Sequence, residues 1–272
     1  MTDDRIDTAL MIEAVRAGMA AIRDQTGSGI DYKSDRSPVT EADKAAERAI
    51  VAVIQGGGCT LPIVAEEAFS DGDIPAVGRR FLLVDPLDGT KSYIAGTPDY
   101  TVNVAVIEDG APVFGCVGIP ETGTIYHGGT GTPAMVERDG TATPLACRKA
   151  GTALDVVASR NHLDDATRDY IGRLDVAERK SVGSSLKFCL LAEAEADLYP
   201  RFGRTMQWDT AAGDAVLRAA GGLTITMDGT PLAYGRTHAP GEDVFGNPHF
   251  IALGDRDLLD RPGIVPQPAG RQ

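Results

Sequence analysis

A layered α/β fold, α+β in its first half, is predicted by three features of the sequence. Two amphipathic helical stretches come first, a series of short β-type runs follows, and the second half alternates strand and helix patterns. Ile6, Leu10, Val15, Met19 and Ile22 recur at helical spacing, so residues 4–24 read as a helix with one core-facing stripe. A Gly/Ser/Asp-rich loop over 26–38 separates it from a second helix. Thr40 has the chemistry of an N-cap, Ala45, Ala46, Ile50, Val53 and Ile54 form the stripe, and Gly56-Gly57-Gly58 ends it.

Strand-type runs then cover 61–65, 81–84, 101–107, 113–119 and 124–127, with turn signals such as Glu108-Asp109-Gly110 between them, which suits an antiparallel or mixed sheet. From residue 155 the pattern becomes strand (155–159), helix (164–174), helix (185–194), strand (197–202), helix (210–220) and strand (223–227). A Gly/Thr/Pro-rich dip over 128–143 marks the expected division. An N-terminal α+β subdomain, 1–135, and a C-terminal α/β subdomain, 136–272, should together form one catalytic unit.

The chain has 272 residues, 43% of them hydrophobic and 24% charged, which is ordinary for a compact protein and excludes a disordered or fibrous one. The net charge of −13 lacks the basic footprint of a nucleic-acid polymer binder. The charge is unevenly placed. Residues 1–147 hold 11 Lys+Arg against 22 Asp+Glu, whereas 148–204 hold 10 against 9. Such an asymmetry suits cations on one side of a site and an anionic ligand on the other, although a solvated acidic surface accounts for most of it. Cys59, Cys116, Cys147 and Cys189 form no C-x-x-C, so neither a zinc knuckle nor a redox pair is expected. The acidic N-terminus lacks the features of a signal peptide, and no apolar run is long enough to span a bilayer, so a cytoplasmic location is expected.

The most informative stretch is Phe81-Leu82-Leu83-Val84-Asp85-Pro86-Leu87-Asp88-Gly89-Thr90, an apolar strand that ends in two carboxylates. A rigid turn there can aim both acids and the Leu87 carbonyl at one point, while Gly89 lets backbone N–H groups approach an anion. Oxygen ligands in such a group suit a hard cation such as Mg2+. Glu66 and Glu67 end another apolar run, and Asp209 stands where a helix begins. Acids gathered at one place repel each other unless a cation neutralises them. Each also has a plainer reading: Glu66 and Glu67 as the start of a solvent loop, Asp209 as an N-cap, and Asp43 as the partner of Thr40 in a capping box.

Read in order, S-P-V-T-x-A-D, E-E, D-P-L-D-G-T-K, G-S-S-L-K-F-C, Y-P-R-F-G and W-D-T-A-A-G resemble the inositol-monophosphatase-like, Mg2+-dependent, lithium-sensitive phosphatases. The resemblance runs from about Ala9 to Phe250, and 183–189 with 198–203 point to their bacterial CysQ-type 3'(2'),5'-bisphosphate nucleotidase branch. It implies the alternating helix and sheet layers of the sugar-phosphatase fold. It further implies that Glu66, Asp85, the Leu87 carbonyl and Asp88 hold a first Mg2+, that Asp85, Asp88 and Asp209 hold a second, and that a third, weaker ion lies near Glu66 and Glu67. Asp43 and Thr90 match the pair that orients and deprotonates the attacking water, with Glu67 grouped beside them as catalytic. Phosphate-ester hydrolysis needs charge stabilisation on both attacking and leaving oxygens, which two metals roughly 3.5–4 Å apart provide.

On the same resemblance Gly89, Thr90 and Asp209 contact the substrate, and Ser159, His162, Gly183, Ser184, Lys187 and Arg201 recognise the nucleotide and its second phosphate. Three departures stand out: Asn161 replaces a serine, Lys91-Ser92-Tyr93 replaces Lys-Glu-Phe, and Asp99-Tyr100 replaces Glu-Phe. The implied activity is hydrolysis of 3'-phosphoadenosine 5'-phosphate to AMP and phosphate, in the nucleotide turnover of sulfur assimilation. A broad inositol or fructose-bisphosphate phosphatase and a non-catalytic nucleotide or metal sensor are the alternatives. A monomer and a homodimer, and a peripheral contact with the inner membrane, stay open.

Overall fold

The computed structural model describes residues 7–25, 30–32, 38–160, 163–236 and 243–265. Helix α1 (Thr8–Asp24) starts where the Asp7 carboxylate accepts the Leu10 N–H at 3.0 Å. The expected loop over 26–38 contains a small strand, β1 (Ile30–Tyr32), which pairs antiparallel with β2 (Pro38–Thr40). Thr40 then caps α2 (Glu41–Gly56) in a complete capping box with Asp43. Strand β3 (Ile63–Ala65) and the one-turn helix α3 (Glu66–Ser70) lead to the long strand β4 (Arg80–Asp88) and the short helix α4 (Thr90–Ile94). Strands β5 (Thr101–Glu108), β6 (Ala111–Ile119), β7 (Thr124–Gly129), β8 (Thr132–Arg138) and β9 (Thr141–Pro144) follow as a meander.

The second half carries β10 (Leu154–Ser159), α5 (Asp165–Ile171), β11 (Val176–Val182), α6 (Leu186–Ala192) and β12 (Leu198–Arg201). A 3-10 turn (Gln207–Asp209), α7 (Ala211–Ala219), β13 (Leu223–Thr226) and β14 (Phe250–Leu253) complete it, with a last 3-10 turn at Arg256–Asp260. Strands β3 to β9 form one sheet in sequence order, and β11-β10-β12-β14-β13 form another. The Gly/Thr/Pro dip thus forms β8 and β9 of the first sheet. The expected 135/136 division falls inside β8, and the sheets change over between Pro144 and Leu154.

The cores show how the layers stack. Leu82 and Val84 of β4 face α1 and α2, where Met11, Val15, Ala46 and Ile50 are buried. Phe81 and Leu83 face the other way, into a core with Phe188 of α6 and Val216 of α7 that also takes Val157, Tyr199 and Phe250 from the second sheet. The far face of that second sheet packs Val156, Leu198 and Ile251 against Tyr170 and Ile171 of α5. Helix, sheet, helix, sheet and helix therefore alternate. A strand buried on both faces reads as a continuous apolar run, which is what 81–84 showed.

Candidate active site

The acids of β4 owe their common direction to a bulge. Side chains alternate along a regular strand, so residues three apart point to opposite faces. Here Asp85 pairs with Asn103 but Asp88 pairs with Thr101, so β4 carries one residue more than its partner between the two pairs. The extra residue turns the strand, and both carboxylates and Leu87 line one cavity of about 470 Å3. The turn expected after Val84 is therefore a bulge in a strand that continues to Asp88.

Glu66 reaches the same cavity because β3 runs parallel to β4 with Ala65 opposite Val84, which sets the next residues, Glu66 and Asp85, side by side. The start of α3 is clamped from α2, where the Glu47 carboxylate accepts the Glu67 N–H at 2.7 Å and the Ala68 N–H at 2.9 Å. Asp209 arrives from the other half. Its carboxylate accepts the Met206 N–H at 2.9 Å, folding back over its own 3-10 turn, while Thr210 takes the N-cap position of α7. Asp209 is therefore not the cap of the helix that follows it.

Ser185 ties these segments together. Its N–H donates to Asp88 Oδ2 at 2.7 Å, and its hydroxyl donates to the Asp209 carbonyl at 2.6 Å and accepts from Asn103 Nδ2 at 3.0 Å. Asn103 is the cross-strand partner of Asp85. Neither Ser185 nor Asn103 nor Glu47 stood out in the sequence. The available signals were a lone amide inside the apolar run 101–107, and Glu47 one helical turn after Asp43.

Burial raises the pKa of Asp85 and Asp209 well above the ordinary carboxylate value, and Glu66 and Asp88 add repulsion to both. Asp88 is raised by burial as well, against the pull of the Lys187 ammonium and the Ser185 N–H. Among the described residues no three His, Cys, Asp or Glu side chains already close on a single ion position. The acids stand around the cavity instead, and their donor set fits Mg2+ on chemical grounds: several carboxylates and a carbonyl, all oxygen, with a surplus of negative charge.

Behind this wall, Asp43 is only 2% exposed. Its Oδ2 accepts from the Thr40 N–H and hydroxyl, each at 2.7 Å, and its Oδ1 accepts from the Thr90 hydroxyl at 3.0 Å. The contacts of the capping box and the contact with Thr90 fall on different oxygens of one carboxylate, so the capping role leaves Oδ1 available to Thr90. Burial raises the Asp43 pKa, with the Thr40 hydrogen bonds opposing. Gly89 precedes Thr90 at φ +98°, a left-handed conformation, and a Cβ there would fall 2.9 Å from the Asp99 carbonyl. Glu67 is buried and off the cavity wall.

The cavity also has a cationic wall. Lys187 and Arg201, 4% and 6% exposed, line the cavity with Ser159, Gly183 and Ser184. Lys187 bonds the Ser184 carbonyl and lies 5.1 Å from the centre of the Tyr199 ring. Burial, aided by the charge of Arg201, pulls its pKa down to about 8, against the attraction of Asp88. The Ser184 hydroxyl is buried without a partner among the described residues, on a backbone held at φ +47°. His162 and Asn161 lie outside the described residues. One cavity thus joins four carboxylates, a relay-type hydroxyl and two buried cations.

The family model described as the inositol monophosphatase family matches residues 4–249. The chain is 42% identical over 218 residues to the 3'(2'),5'-bisphosphate nucleotidase CysQ of Shigella flexneri, covering 80% of this chain and 86% of that protein. The same identity and coverage are found with the CysQ of Escherichia coli K12. The crystal structure of CysQ from Bacteroides thetaiotaomicron superposes with a TM-score of 0.73 at 32% identity, covering 91% of this chain and 97% of that one. An inositol monophosphatase from Thermotoga maritima has a TM-score of 0.74 over 94% of each chain, and at 22% identity it speaks for the fold alone. With the layered fold, the acid set and these matches together, the chain belongs to the inositol monophosphatase family.

Proposed function

We propose that this protein is a Mg2+-dependent phosphomonoesterase that hydrolyses 3'-phosphoadenosine 5'-phosphate to AMP and phosphate. The observation that carries the reading is one cavity lined by both kinds of group: Glu66, Asp85, Asp88 and Asp209, which suit metal, and Lys187 and Arg201, which match a second phosphate. The name carried by the relatives of 42% identity points to the same substrate class.

Glu66, Asp85, the Leu87 carbonyl, Asp88 and Asp209 would hold two Mg2+ ions, with a third near Glu66 and Glu67. When bound, Mg2+ neutralises phosphate charge and makes a water molecule more acidic. Thr90 orients that water through its hydroxyl oxygen while its proton points to Asp43 Oδ1. Asp43, made more basic by burial, receives the proton through Thr90. Gly89 brings the chain close enough for backbone N–H groups to face the scissile phosphate. Lys187, Arg201 and Ser184 hold the other phosphate, with Ser159, Gly183 and His162 beside the nucleotide, and so fix which ester bond faces the acids.

We place the protein in the cytoplasm. The described cysteines are free thiols, and no described helix is long and apolar enough to cross a membrane. The two halves, which meet between Pro144 and Leu154, act as one unit because the cavity draws walls from both. Phosphate release from the bisphosphate, inositol 1-phosphate and fructose 1,6-bisphosphate, compared as kcat/KM with Mg2+, tests the function. The bisphosphate should lead, and a wide preference for either sugar phosphate would overturn the assignment.

A further inference from the structure

Asp99 lies in the turn between α4 and β5, outside the acid cluster and off the cavity wall. Its side chain is 13% exposed and forms an ion pair with Arg160, the residue that follows β10 and Ser159. The same carboxylate oxygen accepts the Gly183 N–H at 3.3 Å. Arg160 in turn ties the end of β10 to β11, its N–H donating to the Val182 carbonyl at 3.2 Å and its Nη2 to the Ser181 carbonyl at 3.1 Å. One carboxylate from the first half thus fastens two of the second-half segments that reach the cationic wall, those of Ser159 and Gly183.

The backbone of Asp99 adds a second contact. A Cβ placed on Gly183 would fall 2.7 Å from the Asp99 carbonyl oxygen, and one placed on Gly89 would fall 2.9 Å from that same oxygen. The carbonyl is wedged between the loop beside the acids and the loop that starts the cationic arm, at contacts only glycine permits on either side. The placement of the Gly183 loop, which leads to Ser184 and Lys187, against the Gly89 loop beside the acids is therefore set at Asp99. A substrate with two phosphates must engage both groups at once, whereas a monophosphate engages only the acids.

We propose that Asp99 is a positioning residue that fixes where the Gly183–Lys187 segment stands relative to the acids, and through it the preference for substrates with two phosphates over those with one. This rests on the nucleotidase reading above. Rigid placement of binding groups by partners that do not touch substrate is a general requirement for a selective site. A rival effect has the opposite sign: the Asp99 charge lies near an anion site, so its removal alone would tighten phosphate binding.

Steady-state kinetics with adenosine 3',5'-bisphosphate and with inositol 1-phosphate separate these effects. The wild-type ratio between the two substrates tests the nucleotidase reading, and the change in that ratio in variants tests Asp99. Asp99→Ala should raise KM for the bisphosphate about tenfold, with kcat and the monophosphate kcat/KM each within about twofold. Asp99→Asn, which keeps an acceptor for the Gly183 N–H, should give a smaller rise. Arg160→Ala should raise the bisphosphate KM by itself, and the double Ala variant should be less impaired than the product of the single effects. Arg160 is largely exposed, so its variant reads the same clasp if Asp99→Ala fails to fold. Equal losses on both substrates, a loss confined to kcat, or tighter bisphosphate binding in Asp99→Ala would overturn the proposal.

Discussion

Replacing Asp209 by Asn should make the metal-free protein more stable while removing its activity. Asp209 is partly buried on the cavity wall, lies beside Asp88 and Glu66, and has its pKa pushed well up by desolvation and then by those neighbours. An amide keeps an oxygen for the Met206 N–H at 2.9 Å, so the turn retains its hydrogen bond. Relief of one partly buried, repelled charge is worth on the order of 1–2 kcal/mol, a rise in Tm of about 2–5 °C for a chain this long. The pH dependence follows. Asp85, Asp88 and Asp209 hold protons in the fold that they release when unfolded above the ordinary carboxylate range. Their contribution to stability is present below about pH 4 and is lost as pH rises through the raised folded values. In chelator, wild-type Tm should therefore fall more steeply from pH 5 to pH 8 than that of Asp209→Asn. Mg2+ should restore the wild type, since a ligand at about 100 times its Kd adds about 2.7 kcal/mol, and should do much less for the variant. Calorimetric melts at both pH values, with and without Mg2+, read all of this. A variant less stable than wild type in chelator, or one with near wild-type turnover, would refute the reasoning.

Asp43→Asn should lower kcat by about 10^2 to 10^4 while leaving KM within a few fold, because the Thr90 hydroxyl loses its proton acceptor; single-turnover kinetics check this. Ser185→Ala breaks the hydroxyl link to the Asp209 carbonyl but keeps the N–H on Asp88, so Mg2+ affinity measured by calorimetry should drop about tenfold. Lys187→Ala should raise the bisphosphate KM by about 10- to 100-fold and spare a monophosphate. In the wild type, bisphosphate kcat/KM should fall as pH rises past about 8 and Lys187 loses its proton, a limb absent from the variant's pH profile.

Much of this was legible in the sequence where one element carries one strong pattern. Helices α1 and α2, strands β4 to β7 and helix α7 follow from apolar periodicity, although α1 begins at Thr8, β4 runs on to Asp88 and Thr210 rather than Asp209 caps α7. The missed strands have physical reasons. β11 is an edge strand whose middle, Glu178-Arg179-Lys180, is polar and largely exposed, so no apolar alternation marks it. β8 and β9 sit in a segment whose glycines and prolines read as a boundary. The acids were visible because they terminate apolar runs, yet their shared aim depends on a bulge and a parallel register, which only strand pairing sets. Ser185, Asn103, Glu47 and Asp99 act through contacts between segments remote in sequence, and nothing local to any one of them announces a partner.

The most direct measurement is the identity of the products from 3'-phosphoadenosine 5'-phosphate in Mg2+, followed by 31P NMR. On the proposed assignment the acids lining the cavity take the phosphate that is removed, and Lys187 with Arg201 hold the one that stays. AMP and inorganic phosphate should appear together, and both should vanish in Asp209→Asn. Release of adenosine 3'-phosphate, or no turnover of the bisphosphate under conditions where inositol 1-phosphate is hydrolysed, would contradict that assignment.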